Sequence, residues 1–127
     1  MSKVKTQRPV NLNLLTLRFP MIAIVSILHR LSGVMLFVLM PLVFYLFSLS
    51  THSRDSFNSA GAMMHCIYVK SAVWLFSAAL AYHLFAGIRH TLADIGLGEE
   101  LQPARWSAYA VLALSLVAII ISGILIW

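Results

Sequence analysis

"SAYAVLALSLVAIIISGILIW", residues 107–127, decides the fold. It carries no charged side chain over 21 residues. At about 1.5 Å rise per residue, such a run is long enough as a helix to cross a hydrocarbon core of about 30 Å. Further back, "LSGVMLFVLMPLVFYLFSL" (31–49) is a second uncharged run, and "SAVWLFSAALAYHLFAGI" (71–88) is a third, interrupted only by a histidine. Across 127 residues the chain is 61% hydrophobic and 10% charged, too little polar surface for a soluble domain of that length. Unpaired backbone cannot face lipid, so the runs predict three membrane-spanning helices at about 20–49, 63–92 and 106–127. The expected fold is all-α and integral to the membrane. A segment, 1–19, precedes one transmembrane domain, 20–127.

The stretches between the runs predict polar connections: "THSRDSFNSAG" (51–61) and "ADIGLGEELQPA" (93–104), the latter broken by Gly96, Gly98 and Pro103. Pro41 falls inside the first predicted helix, where membrane helices tolerate it, and marks a candidate kink. Of the nine Lys and Arg residues, Lys3, Lys5, Arg8, Arg18, Arg30, Arg89 and Arg105 fall on one side of the three spans, against Arg54 and Lys70 on the other. The positive-inside rule then puts segment 1–19 and the second connection in the cytoplasm and the C-terminus outside. Trp106 and Trp127 flank the third span as an aromatic belt would. The apolar run behind the basic N-terminus is too long for a signal-peptide h-region and lacks a small-residue cleavage site, so it reads as a retained span. The net charge of +5 reports topology and contact with anionic lipid. No basic patch interleaved with aromatics points to nucleic acid. Cys66 is the one cysteine, which excludes an intrachain disulfide, and an iron–sulfur cluster or Cys-type zinc site built by this chain alone.

Two constellations carry chemistry. In "SILHRLSGV" (26–34), Ser26, Arg30 and Gly33 share one helical face with His29 adjacent, near the cytoplasmic end of the first span. Two readings stand side by side. In one, Arg30 snorkels to lipid headgroups and Ser26 bonds its own backbone. In the other, they form a polar pocket for an anionic or carbonyl-bearing group, as an intramembrane ionisable residue suggests. In "YHLFAGIRH" (82–90), His83 and His90 lie two turns apart on nearly one face with Gly87 between them. A neutral imidazole in an apolar helix suits a haem iron, and glycine beside it lets a flat macrocycle approach. The alternative is a histidine hydrogen-bonded within a bundle and a glycine at a close helix contact. His29 lies at matching depth, and arginine and histidine at the membrane edge suit haem propionates. His65 and Cys66 sit about 27 Å from His83 by helix rise, too far to share its site.

"RPVNLNL" (8–14), "RFPMIAIVSILHRLSGV" (18–34) and "AYHLFAGIRHTLADIG" (81–96) together resemble the large cytochrome b membrane-anchor subunit of bacterial succinate dehydrogenase, complex II. The likeness covers about Arg8 to Gly96, and the third span fits in length and placement only. It implies a complex in which a flavoprotein subunit oxidises succinate and an iron–sulfur subunit passes electrons to ubiquinone. Two three-helix membrane subunits form a six-helix anchor that binds the quinone and one haem b. This chain corresponds to one of those two, in the bacterial inner membrane with its C-terminus periplasmic. The resemblance puts the haem ligand at His83, with the second ligand on the partner membrane subunit. It puts the quinone site at Ser26, Arg30 and Ile27, and the propionate edge at His29, Arg30 and His90. Quinone reduction takes two electrons and two protons. A serine hydroxyl suits a quinone carbonyl, and a permanently charged guanidinium suits negative charge developing on its oxygen.

Rival readings come from different classes. One is the anchor subunit of a fumarate reductase using menaquinone. Another is a non-redox membrane anchor with His83 satisfied inside the bundle. A third is a transporter or channel subunit using Arg30 for an anion. The histidine–glycine motif of the second span favours the haem-bearing succinate oxidiser.

Overall fold

The computed structural model describes residues 20–98 and 100–127. Segment 1–19, with Lys3, Lys5, Arg8 and Arg18, lies outside the described residues, as does Glu99. Among the described residues the chain forms four helices: α1 (Met21–His52), α2 (Arg54–Met64), α3 (Ile67–Asp94) and α4 (Leu101–Ile126). Three of them, α1, α3 and α4, are long and apolar enough to cross a membrane. The protein is thus an all-α, multi-pass membrane chain.

α3 is the central helix and packs against both α1 and α4. Tyr82 and His83 of α3 meet Val25, His29 and Ser32 of α1, while Val73 and Ser77 lie with Val43 and Ser50 at the other end. The two helices therefore run antiparallel. Arg89 meets Ser107, and Trp74 meets Ile119, so α3 and α4 are antiparallel as well. One end of the bundle holds the start of α1, the end of α3 and the start of α4. The small core sits at that end: Val25, Ala86, Ala108 and Val111 are buried, with Met21, Tyr82, Phe85 and Leu112 packed on them. Alanine at Ala79, Ala86, Ala104 and Ala108 lets the helix backbones come close, which is how helices associate where lipid removes the hydrophobic drive. Only 6%, 17% and 11% of the most apolar windows of α1, α3 and α4 are buried within the chain. Large apolar side chains such as Phe37, Phe44, Leu84 and Leu125 face outward.

Two connections differ from the sequence expectation. The polar stretch after the first span is helical: α2 begins with a capping box in which Ser56 N–H donates to Ser53 Oγ at 3.1 Å and Ser53 N–H donates to Ser56 Oγ at 2.8 Å. Asp55 in its first turn complements the helix dipole. Ala60 is buried, and Phe57, Gly61 and Met64 line a cavity shared with α1 and α3. Its exposed side carries Arg54, Asp55, Asn58 and Ser59, along with Phe57. The second difference is that α4 begins at Leu101, so Pro103, Arg105 and Trp106 are helical. Pro103 sits in the first turn, where the N–H that proline lacks has no intrahelical acceptor, so it does not break the helix. The turn before it is made by Gly96 and Gly98, at φ 82° and 78°, left-handed values that glycine adopts without steric cost. α1 continues through Pro41.

Candidate functional site

Three histidines converge between α1 and α3. The rings of His29 and His83 stack with centroids 4.1 Å apart and planes 19° apart. His90 approaches His29 at 5.1 Å with a 49° tilt. An open cavity of about 560 Å³ is lined by His29, His83, Gly87 and His90, with Leu84, Ile88, Thr91 and Leu92 supplying the rest. The site is thus a polar cluster in an apolar wall, at the end of the bundle that carries Arg30, Arg89 and Arg105.

α1 seats the His83 ring. His83 Nδ1 lies 3.1 Å from the His29 carbonyl oxygen and 3.0 Å from Ser32 Oγ. A carbonyl only accepts, so the Nδ1 nitrogen carries the proton. Ser32 Oγ donates to the same His29 carbonyl at 2.8 Å, which leaves its lone pairs for the Nδ1–H. With the proton on Nδ1, a neutral imidazole in this seat has its lone pair on Nε2. Gly33 closes the seat, since a β-carbon there would stand 3.1 Å from His83 Cε1. One residue before His83, the Tyr82 hydroxyl donates to the Val25 carbonyl at 2.9 Å and fixes the register of α3 against α1.

A haem iron requires a neutral imidazole that offers Nε2 while Nδ1–H is held by an oxygen acceptor. His83 meets that requirement. Among the described residues no group of three or more His, Cys, Asp or Glu side chains is arranged to hold a bare metal ion. His29 Nε2 is buried without a hydrogen-bond partner among the described residues, a state that costs about 1–3 kcal/mol. A β-carbon at Gly87 would meet only that nitrogen, at 3.5 Å, an ordinary contact. Nothing described in this chain demands glycine at position 87, which leaves room there for a flat group on the cavity side.

The structure brings together His29, His83, Gly87 and His90. Ser26, Ile27 and Arg30 are not part of that lining. Ser26 is half-buried, Ile27 and Arg30 are exposed, and Arg30 is rotated about 100° around α1 from His29. They form an open stripe beside the histidine cluster, not within it. Gly33, grouped with Ser26 and Arg30 by spacing, faces His83 instead. Ser32 and Tyr82 are residues that the reading by motif passed over. Arg89, counted above for topology, donates its Nε–H to Ser107 Oγ at 3.1 Å and ties α3 to α4. Cys66 is exposed at the start of α3, at the opposite end from the cluster.

Residues 4–122 match the family described as the succinate dehydrogenase/fumarate reductase transmembrane subunit. The chain is 45% identical to the succinate dehydrogenase cytochrome b556 subunit of Coxiella burnetii over 125 residues, 98% of this chain and 100% of that one. It is 31% identical over 119 residues to the cytochrome b556 subunit of the Paracoccus denitrificans enzyme, covering 91% and 88%. A succinate dehydrogenase cytochrome b560 subunit of Porphyra purpurea is 32% identical over 89 residues, 68% and 71% of the two chains.

Proposed function

Since the chain belongs to the succinate dehydrogenase/fumarate reductase transmembrane subunit family, we propose that it is the haem b membrane anchor of a succinate dehydrogenase, helping electrons from succinate reach ubiquinone. The observation that carries this reading is the His83 ring, its Nδ1 held by the His29 carbonyl and Ser32 so that Nε2 is free for iron. His83 would hold the haem iron, with a further ligand supplied by a second three-helix membrane subunit. Gly87 gives the macrocycle room against α3. His29 and His90, with Arg30 on the neighbouring stripe of α1, would hold the haem propionates. When bound, the haem supplies a one-electron couple at the depth of His83. The largely unburied faces of α1, α3 and α4 are for lipid and for that second subunit.

Ser26, Ile27 and Arg30 form the chain's share of the quinone site. Ser26 Oγ donates to a quinone carbonyl, and the Arg30 guanidinium stabilises negative charge on that oxygen. The exposure of Ile27 and Arg30 on this chain is what a site completed by neighbouring subunits requires. Arg30, Arg89 and Arg105 at one end, against Arg54 and Lys70 at the other, support a cytoplasmic start of α1 and a periplasmic C-terminus in a bacterial inner membrane. Lys70 Nζ lies 5.5 Å from the centre of the Trp127 ring, a pairing suited to the outer interface. The iron–sulfur and flavoprotein subunits then dock at the cytoplasmic end, beside Ser26 and Arg30. The family description also covers fumarate reductases, but the relatives above carry succinate dehydrogenase names, which favours succinate as the electron source.

The test is optical. The complex purified with its associated subunits is expected to show a reduced-minus-oxidised b-type spectrum, and His83→Ala is expected to abolish or reshape it. A native spectrum in that variant refutes His83 as ligand.

A further inference from the structure

His83 is held at two points that differ in kind. The His29 carbonyl belongs to the backbone and is present whatever the sequence. Ser32 Oγ, 3.0 Å from His83 Nδ1 and itself donating to that carbonyl at 2.8 Å, is a side chain that evolution can remove. Ser32 is 8% exposed, and its hydroxyl is oriented by the donation to His29. A serine in a membrane helix commonly back-bonds to its own helix and does nothing more. Here the same oxygen also faces a ring nitrogen of another helix, 51 residues away in sequence.

We propose that Ser32 is a positioning residue for the haem ligand: with the His29 carbonyl setting the Nε2-free tautomer, the Ser32 oxygen accepts from the same His83 Nδ1–H, holds the ring in place and makes it a stronger donor. The proposal rests on the reading of His83 as the axial ligand. A hydrogen bond accepted from Nδ1–H raises the basicity of a ligating imidazole, and a more basic ligand stabilises the oxidised iron. Ser32 thus helps hold the haem potential down. Gly33 works with it: its missing β-carbon, which would stand 3.1 Å from Cε1, lets the ring settle far enough onto α1 to reach both acceptors.

The experiment is a redox titration of the haem in the purified four-subunit complex, with the electron paramagnetic resonance signature of the axial ligands recorded alongside. Succinate oxidation with a soluble acceptor serves as the assembly control. Ser32→Ala is expected to raise the reduced-to-oxidised ratio at fixed poise about fivefold, as expected for one neutral hydrogen bond. That is about 40 mV upward at 59 mV per decade for a one-electron couple. Ser32→Thr keeps the oxygen and is expected to stay near the native potential. A native potential in S32A, or S32T at the S32A value, overturns the proposal, because the hydroxyl is then only back-bonded to α1. If S32A fails to assemble, Ser32→Cys carries the test: its thiol fills the space as a weaker acceptor, a smaller upward shift supports the proposal and no shift overturns it. H83A run in parallel separates the two levels. Its loss of haem beside an unchanged S32A refutes only the role of Ser32, whereas native haem in H83A refutes the ligand assignment itself.

Discussion

His29 and His83 lie face to face across the α1–α3 contact, 4.1 Å between centroids, yet their hydrogen-bonding states are opposite. His83 has Nδ1 held by two oxygens of α1. His29 has a buried Nε2 with no partner among the described residues. One ring is fixed at Nδ1, and the other carries an unpartnered buried nitrogen that faces position 87. The two halves of the cluster are therefore separable by mutation.

The glycines show this first. Gly87→Ala adds a methyl that meets only His29 Nε2, at an ordinary 3.5 Å, and alanine is favoured in a helix interior by about 1 kcal/mol over glycine. The chain is expected to insert and assemble at least as well as the native one. If a macrocycle lies against α3 at this point, the same methyl obstructs it. Haem per complex is then expected to fall while assembly holds, measured as the pyridine haemochrome to protein ratio. Undiminished haem in G87A places the macrocycle elsewhere. Gly33→Ala behaves differently, because its β-carbon would press on His83 Cε1 at 3.1 Å and disturb the seat directly.

The spans were legible in the sequence because uncharged runs of bilayer length have few alternatives, as in residues 107–127. His83 and Gly87 were legible through their spacing and Ser26 with Arg30 through theirs, since a helix turns local intervals into faces. α2 was not, because a capping box closed by Ser56 in place of the usual Glu or Gln, in a polar stretch, looks like a loop. Ser32 was not legible either. In sequence it is one small polar residue in an apolar run, and its partner comes from a helix crossing that local periodicity does not describe. The same crossing turned Gly33 from a neighbour of Arg30 into part of the His83 seat.

His29→Phe keeps a flat ring against His83 and removes the unpaired nitrogen. Relief of a cost of about 1–3 kcal/mol is expected to raise the thermal midpoint of complex prepared without haem. In the haem-loaded complex the gain is expected to disappear and haem to dissociate faster, because the substituted ring cannot bond a propionate. Equal gains in both preparations show that His29 Nε2 has no partner on the haem.

Arg30→Leu tests the open stripe on α1. Arg30 is exposed on this chain and leucine suits the lipid-facing helix, so the helix itself is expected to tolerate the change. Loss of a charged hydrogen bond of about 1.5–3 kcal/mol predicts succinate–quinone reductase activity lower by about 10- to 100-fold. Succinate oxidation with a soluble acceptor is expected to be unchanged. Equal losses in the two assays indicate failed docking of the soluble subunits. Ser26→Ala is expected to act in the same direction with a smaller loss, about 1 kcal/mol for a neutral bond.

At the far end of the bundle, Trp74 Nε1–H donates to the Ile119 carbonyl at 3.2 Å, and a β-carbon at Gly123 would stand 3.1 Å from the same nitrogen. Glycine at position 123 and tryptophan at position 74 therefore depend on each other. Gly123→Ala is expected to destabilise the α3–α4 pair despite the gain in helix propensity, because the indole must shift and stretch its bond. Trp74→Phe removes Nε1 along with the bond, at a cost of about 0.5–1.5 kcal/mol. With the indole gone the methyl has space, so G123A is expected to cost less in the W74F chain than in the native one. The two changes should fall short of additivity by at least about 0.5 kcal/mol, as contacting residues do. Thermal midpoints of the four complexes in detergent measure the coupling. Additive effects mean that the indole can swing clear of position 123. The haem spectrum is expected to stay native in all four, since Trp74 lies nine residues before His83 on α3, two and a half turns toward the opposite end of the bundle.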